Sequence, residues 1–275
     1  MTPEEIQKML EQDAGAEPFQ MSERDWAGAI LPDLDYEAQL IAIKALLQRN
    51  EEADKQVAAE LKKLDEYARK TSGWRNERAI EEFGEQFYVA IYQSAAHSMA
   101  ALGMIAPLFE SLFFQAFQGI RIRYFADKPV TGHSRNSMPK LDDFWNCHFV
   151  YTAASKSKTR TDIVKGIMEL ADNVDLAPHL PVGLEATLEA LFAYRNKMLH
   201  CGFEWPQVEC LNFAKRIDDE KWKDWFSWAE RSGDPWIFYM TEKFIEGCLD
   251  MIQQLLDSFG AYCKGRTPLN LVPIS

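Results

Sequence analysis

A short run near the middle of the C-terminal half combines side chains that can act on a phosphate diester. Arg195 carries a permanent positive charge on a planar group whose donors match phosphate oxygens. His200, five positions later, is the kind of side chain that exchanges a proton near neutral pH. We therefore predict a cleft in which one residue holds a phosphate and the other moves a proton.

An amphipathic helix must position these two side chains. We predict it over 182–199, with Glu185, Glu189 and Arg195 outside its buried face. Gly202 followed by Pro206 predicts the end of the helix, which places His200 in the last turn, where a cation is favoured. Five positions on a helix separate two side chains by roughly 140°, so Arg195 and His200 are expected to line two walls of one cleft. The apolar positions that define the buried face are Leu184, Leu188, Leu191, Phe192 and Leu199.

The run RNKMLH, from Arg195 to His200, resembles the R-x4-6-H motif of the HEPN superfamily. In that motif an Arg is followed by a polar residue and, after three variable residues, by His. The segment CGFEW that follows is similar to what often follows the motif. The resemblance implies an all-helical, metal-independent endoribonuclease without a cofactor, in which His200 does acid–base work, Arg195 holds the scissile phosphate and Asn196 is a polar positioner.

The resemblance also implies a homodimer. Cleavage of RNA by its own 2′-hydroxyl needs a base, an acid and cations that stabilise the phosphorane, and one motif offers a single histidine. A two-fold contact would present two copies of His200 and Arg195 around one cleft. DNA, which lacks the 2′-hydroxyl, is expected to be spared. The family further suggests a toxin with an antitoxin partner, or an effector of antiviral defence.

The charge distribution supplies candidate RNA contacts. The net charge of −12 argues against indiscriminate binding to nucleic acid. Between residues 121 and 165, however, nine Lys/Arg stand against four Asp, which gives this segment a charge of +5. We select Lys156, Lys158 and Arg160 from it, with Lys197 beside the motif, as RNA-binding residues. A solvated loop balanced by nearby carboxylates would explain the same charges, and both interpretations stay open.

The remaining patterns predict an all-α protein, specifically a HEPN-like helical bundle with a helical N-terminal extension. Residues 1–74 form the extension, with a short helix near Pro3 and a long helix over 36–69. Residues 75–275 form the domain that carries the motif, with a loop over 126–140. Further helices are predicted at 142–153, 161–173, 206–216, 221–231 and 235–262. Core stripes are predicted at Phe83, Phe87, Ile91 and Ala95, and at Leu108, Phe109, Leu112, Phe113, Phe117 and Ile120.

The sequence also predicts the compartment. Five cysteines, an odd number without CxxC spacing, are typical of reduced, buried thiols in a cytoplasmic protein. The acidic N-terminus lacks the layout of a signal peptide. The uncharged run from Gln86 to Phe109 has the length of a membrane span, but Gln86, Gln93 and His97 form a polar stripe in it. We therefore predict a core helix of a soluble protein and no membrane partner.

Other chemistries lack their motifs. GxGxxG, GxxxxGK[ST], GxSxG and HExxH are all absent from the sequence. A zinc site made from Cys147-His148 and His200-Cys201 is disfavoured, because neighbouring residues on a helix point apart. Of Glu204 and Trp205, one is expected to be solvated and the other packed. The rival hypothesis is a non-catalytic HEPN-like module that binds a protein or a nucleotide and keeps the motif as a helix stop or a binding patch.

Overall fold

The computed structural model describes residues 22–31, 35–125, 127–129 and 131–266, and within them the chain is mostly helical. The α-helices are α1 Tyr36–Lys70, α2 Trp74–Tyr124, α3 Leu141–Trp145, α4 Ile163–Asn173, α5 Leu184–Cys201, α6 Gln207–Asp219 and α7 Glu242–Lys264. Short 3₁₀ helices span Arg24–Ala29, Ser134–Ser137 and Ala177–His179. The strands are β1 Phe149–Tyr151, β2 Thr159–Thr161, β3 Phe226–Arg231 and β4 Asp234–Met240. The helix predicted near Pro3 lies outside the described residues.

Helices α1 and α2 form a long antiparallel hairpin. The side chain of Asp35 accepts a hydrogen bond from the Ala38 N–H and starts α1, and the chain turns into α2 at Gly73, where φ is +64°. The predicted long helix is confirmed to within a residue. Apolar residues on both sides of position 74 share one core. The division into an extension and a domain stays a prediction.

Most of the buried residues of helix α2 lie in its second half. Phe109, Phe113 and Phe117 have no exposed surface, which confirms this predicted stripe. In the first half the prediction is partly wrong, because Phe87 is 48% exposed although Ile91 and Ala95 are buried. By length and composition α2 could cross a membrane, but 56% of its most apolar window is buried inside the fold. Core helices of soluble proteins pass the same test, so this is weak evidence for a membrane.

The mostly helical character that the sequence predicts is confirmed, but two short β-hairpins stand where helices were predicted. Strands β1 and β2 are antiparallel and pair Val150 with Arg160. Strand β1 lies inside the helix predicted over 142–153, and β2 follows that segment. Antiparallel β3 and β4 pair Trp228 with Phe238, where helices were predicted over 221–231 and from residue 235. Ser232 and Gly233 both have positive φ, as a tight hairpin turn requires. The Ser-Gly-Asp sequence between two aromatic-rich runs was the local signal for this second hairpin.

Gly166 of α4 sets how closely this helix lies on the segment before β1. A Cβ at this position would come within 2.1 Å of the Cys147 carbonyl oxygen. We expect Gly166→Ala to lower the free energy of unfolding by about 1–3 kcal/mol, because backbone would have to move. Gly247→Ala is the control, since Gly247 lies inside α7 and a Cβ there would meet no described atom within 4 Å apart from the backbone of its own helix and its chain neighbours. There alanine should raise stability by about 0.5–1 kcal/mol. Urea unfolding measures both, and equal stability of the two variants would contradict this packing.

Candidate active site

Helix α5 carries the motif and ends where the sequence predicts. It spans Leu184–Cys201, against a predicted 182–199. Gly202 has φ of +70° and its N–H donates to the Met198 carbonyl, which closes the last turn. His200 lies in that last turn and is exposed. The predicted placement of His200 at the helix end is therefore confirmed.

The buried face of α5 differs from the prediction at its end. Leu199 was assigned to this face but is 61% exposed, whereas Met198 is 1% exposed. Seven residues make almost two turns, so the face that contains Leu191 returns at Met198 and not at Leu199. Leu199 therefore lies beside His200 on the open side of the helix.

Aromatic packing fixes the end of α5. The wholly buried Tyr194 donates its hydroxyl to the Phe238 carbonyl of β4 at 2.9 Å, and burial raises the pKa of Tyr194. Trp205 stacks on the Phe238 ring and donates its indole N–H to the Gly202 carbonyl. Trp205 is thus packed and Glu204 exposed. The motif consequently sits on a rigid support.

Arg195 is held by a carboxylate from another helix. Its Nη1 donates to Oε1 of Glu110 in α2 at 2.5 Å, and the guanidinium carbon lies 5.5 Å from the centre of the Phe192 ring. The two paired side chains are 29% and 22% exposed. Sequence reasoning missed this contact. The available signal was that Glu110 is the single charged residue between Glu85 and Arg121, since a lone carboxylate in an apolar helix needs a partner.

A polar cleft of about 690 Å³ opens beside this pair. Arg195 and Asn196 line it together with Lys165 of α4 and Arg216 of α6. Neither Lys165 nor Arg216 has an ion-pair partner within 4 Å in the part of the chain that the structure describes. These two cations are therefore available to an anion in the cleft. The other lining residues are Glu110, His148, 161–164, Glu189, Phe192 and Ala193.

Acidic residues in the lining offset part of the positive charge of this cleft. Glu189 lies in its wall, and burial, followed by the charges of Glu220 and Glu185, raises the pKa of that carboxyl. Asp162 also lines the cleft, but it pairs with Arg160 at 3.0 Å and caps α4 by accepting from the Lys165 N–H. The cleft thus offers a mixed polar surface and not a uniformly basic groove.

The other predicted site residues lie outside this cleft. His200 is not among its lining residues, so within one chain the cleft holds Arg195 and Asn196 without it. Lys197 forms an ion pair with Glu209 of α6. Lys156 and Lys158 are exposed in the turn between β1 and β2, and Arg160 follows them on β2. None of these four RNA-binding candidates lines the cleft. The hairpin that carries Lys156, Lys158 and Arg160 leads into the 161–164 wall of the cleft.

The described residues include no metal-binding cluster, and most of the thiols are buried. Across the described ranges, no group of three or more His, Cys, Asp and Glu side chains is placed to hold a metal ion. Four of the five cysteines are buried and Cys201 is half-buried, as expected of reduced thiols. Burial raises the pKa of Cys147 to about 12, which suits a packing role.

Comparison of the chain with protein-family models, with curated proteins and with solved structures found no match in any of the three. Function is therefore inferred from the motif and from the geometry of the cleft.

Proposed function

We propose that this chain is a HEPN-like, metal-independent endoribonuclease that works as a homodimer in the cytoplasm. It cleaves RNA by attack of the 2′-hydroxyl and leaves 2′,3′-cyclic phosphate and 5′-hydroxyl ends. One observation carries the proposal: Arg195 and Asn196 line one polar cleft, and His200 is exposed on the last turn of the same helix. Its biological role would be that of a toxin restrained by an antitoxin, or of an antiviral effector.

The charges of the cleft suit a phosphodiester. Glu110 engages one N–H of Arg195, and a guanidinium has five, so donors remain for the phosphate oxygens. Lys165 and Arg216 add two cations without ion pairs in the described residues. Positive groups fixed before the reaction stabilise the charge that develops on the phosphorane. Asn196, exposed at the rim, can donate to the sugar or the phosphate.

Exposed apolar side chains near the motif support a two-fold contact. Leu199, Val208 and Leu211 are 61%, 67% and 46% exposed. The last two lie on α6, which the Lys197–Glu209 pair ties to the end of α5. An exposed apolar patch next to a functional motif marks a surface that another protein can cover. An isologous contact here would bring two His200 side chains together.

The activity is tested by incubating the purified protein with structured RNA in EDTA. We expect cleavage products with 2′,3′-cyclic phosphate and 5′-hydroxyl ends, because the proposed chemistry uses imidazole and guanidinium groups. A DNA strand of the same sequence should stay intact, because it has no 2′-hydroxyl. Intact RNA, or cleavage that depends on an added divalent cation, would refute the proposal.

The dimer is tested by light scattering. The wild-type protein should show twice the 31.6 kDa chain mass. Leu199→Glu combined with Val208→Glu should return the mass of one chain, because two charges would be desolvated in the contact. Val182→Glu is the control, since Val182 is fully exposed just before α5 and away from its end. A wild-type protein that is monomeric at micromolar concentration would contradict the two-fold contact.

The rival function is a non-catalytic module that binds a nucleotide or a protein. The Glu110–Arg195 pair favours it, because a fixed cation beside Lys165 and Arg216 can bind phosphate without any proton transfer. Binding of RNA or nucleotide that is lost in Arg195→Ala, with no product formed by the wild type, would select this alternative.

A further inference from the structure

We propose that His148 is a catalytic residue of the same cleft, and that its Nε2 takes the proton from the attacking 2′-hydroxyl. This inference rests on the proposed ribonuclease function. It changes the source of the general base. In this form the base is a residue of the chain that supplies Arg195, and not a second copy of His200.

The tertiary structure brings His148 to the motif. His148 immediately precedes β1 and lines the polar cleft together with Arg195 and Asn196. Its backbone is held from two sides. The Asp162 N–H donates to the His148 carbonyl at 2.9 Å, and Gly166 of α4 lies directly against the preceding carbonyl of Cys147. The imidazole is therefore presented from a fixed backbone.

Hydrogen bonds determine which ring nitrogen of His148 carries the proton. The Oδ1 of Asn146 lies 2.9 Å from the His148 backbone nitrogen and 2.9 Å from Nδ1. A backbone N–H can only donate, so the Asn146 atom in this contact must be the oxygen, which only accepts. Nδ1 must then carry a proton. In the neutral ring the lone pair consequently resides on Nε2.

The free nitrogen of His148 is accessible. Nε2 makes no hydrogen bond to the described part of the chain, and it is not among the buried side-chain atoms that lack a partner there. His97 shows the contrast. Its Nδ1 contacts Asp54 and its Nε2 is buried without a partner, so that histidine is closed to a substrate. His148 has the arrangement of a general base, with one nitrogen oriented by the protein and the other open to a cleft.

The proposed step balances without any further reactant. Nε2 of His148 removes the proton of the 2′-hydroxyl as the 2′-oxygen bonds to phosphorus. The bond from phosphorus to the 5′-oxygen breaks, and the imidazolium of the partner subunit's His200 gives its proton to that oxygen. Arg195 neutralises the phosphorane. The products are a 2′,3′-cyclic phosphate and a 5′-hydroxyl, and the two histidines end in exchanged protonation states.

The test is the pH dependence of cleavage of one RNA substrate. For a base and an acid acting together the rate rises and then falls with pH. His148→Asn keeps an amide nitrogen close to the place of Nδ1 and removes Nε2, so the contact with Asn146 can persist. We expect His148→Asn to lower the maximal cleavage rate about 100-fold or more and to remove the rise of the rate with pH on the acid side. His200→Ala should remove the fall of the rate with pH on the alkaline side. His179→Asn, on an exposed 3₁₀ helix outside the cleft, is the control.

The possible outcomes separate the two proposals. A bell-shaped profile in His148→Asn, with a rate within about twofold of wild type, overturns the role of His148 and leaves the ribonuclease standing. Absence of cleavage by the wild type overturns both. Should His148→Asn fail to fold by circular dichroism, His148→Gln serves instead, because its amide reaches the place of Nε2 but cannot accept the proton. If the cleavage rate of His148→Gln no longer rises with pH on the acid side, the inference is supported. If that rise is retained, the inference is refuted.

Discussion

Replacement of Arg195 or His200 with alanine is expected to lower the rate of RNA cleavage by about 10²- to 10⁴-fold. Arg195→Ala would lack the contact that stabilises the phosphorane. His200→Ala would lack the group that gives a proton to the departing oxygen. Arg195→Lys should recover only part of the loss, because an ammonium keeps the charge but not the planar fork. Initial rates on one RNA substrate in EDTA measure all three variants.

Two controls make the result for the motif specific. Arg69→Ala removes a guanidinium from the exposed end of α1, where its ion-pair partner among the described residues is Asp65, one turn away. This variant should leave the rate unchanged. Thermal unfolding should show that the Arg195 and His200 variants remain folded. Rates equal to wild type in folded Arg195→Ala and His200→Ala would remove the motif from the reaction.

Arg135→Met is expected to lower the free energy of unfolding by about 3–5 kcal/mol. Arg135 has no exposed surface. Its guanidinium donates to the carbonyls of Phe144, Asn146 and Phe149 at 2.9, 2.9 and 2.6 Å and pairs with Glu169 at 3.3 Å. Burial lowers the pKa of Arg135, which the Glu169 carboxylate counteracts. Methionine would leave three carbonyls and one carboxylate without this partner.

The matched control is Arg160→Met. Arg160 also pairs with a carboxylate, Asp162, at 3.0 Å, but its side chain is 58% exposed. An exposed pair is worth about 0–1 kcal/mol, so this substitution should change stability little. Urea unfolding monitored by tryptophan fluorescence compares the two. A similar small loss in both variants would show that the buried network does not hold the 144–149 segment together.

Arg135 also explains why a helix predicted from sequence is largely missing. The prediction placed a helix over 142–153, but α3 ends at Trp145 and β1 begins at Phe149. Backbone carbonyls that a longer helix would have used accept from Arg135 instead. The segment before β1 is thereby shaped by a side chain that a local pattern does not include.

The local elements of the site could be predicted. The end of α5 follows from Gly202, which adopts a positive φ and closes the last turn of the helix. Leu199 is a residue whose burial the local pattern predicts wrongly. Met198 and Leu199 are both apolar and both lie near the spacing of the buried face. Only the tertiary structure shows that Met198 is the one that is buried.

By itself, the sequence determined a helix that ends just after His200, with Arg195 and Asn196 one to two turns earlier, because caps and periodicity act over a few residues. Tertiary structure alone decided that Glu110 holds Arg195, that Lys165 and Arg216 face the same cleft, and that His148 lines it. These residues lie on separate elements of the chain. Their meeting depends on how helices and a hairpin pack around a shared core, and spacing along the sequence does not encode that.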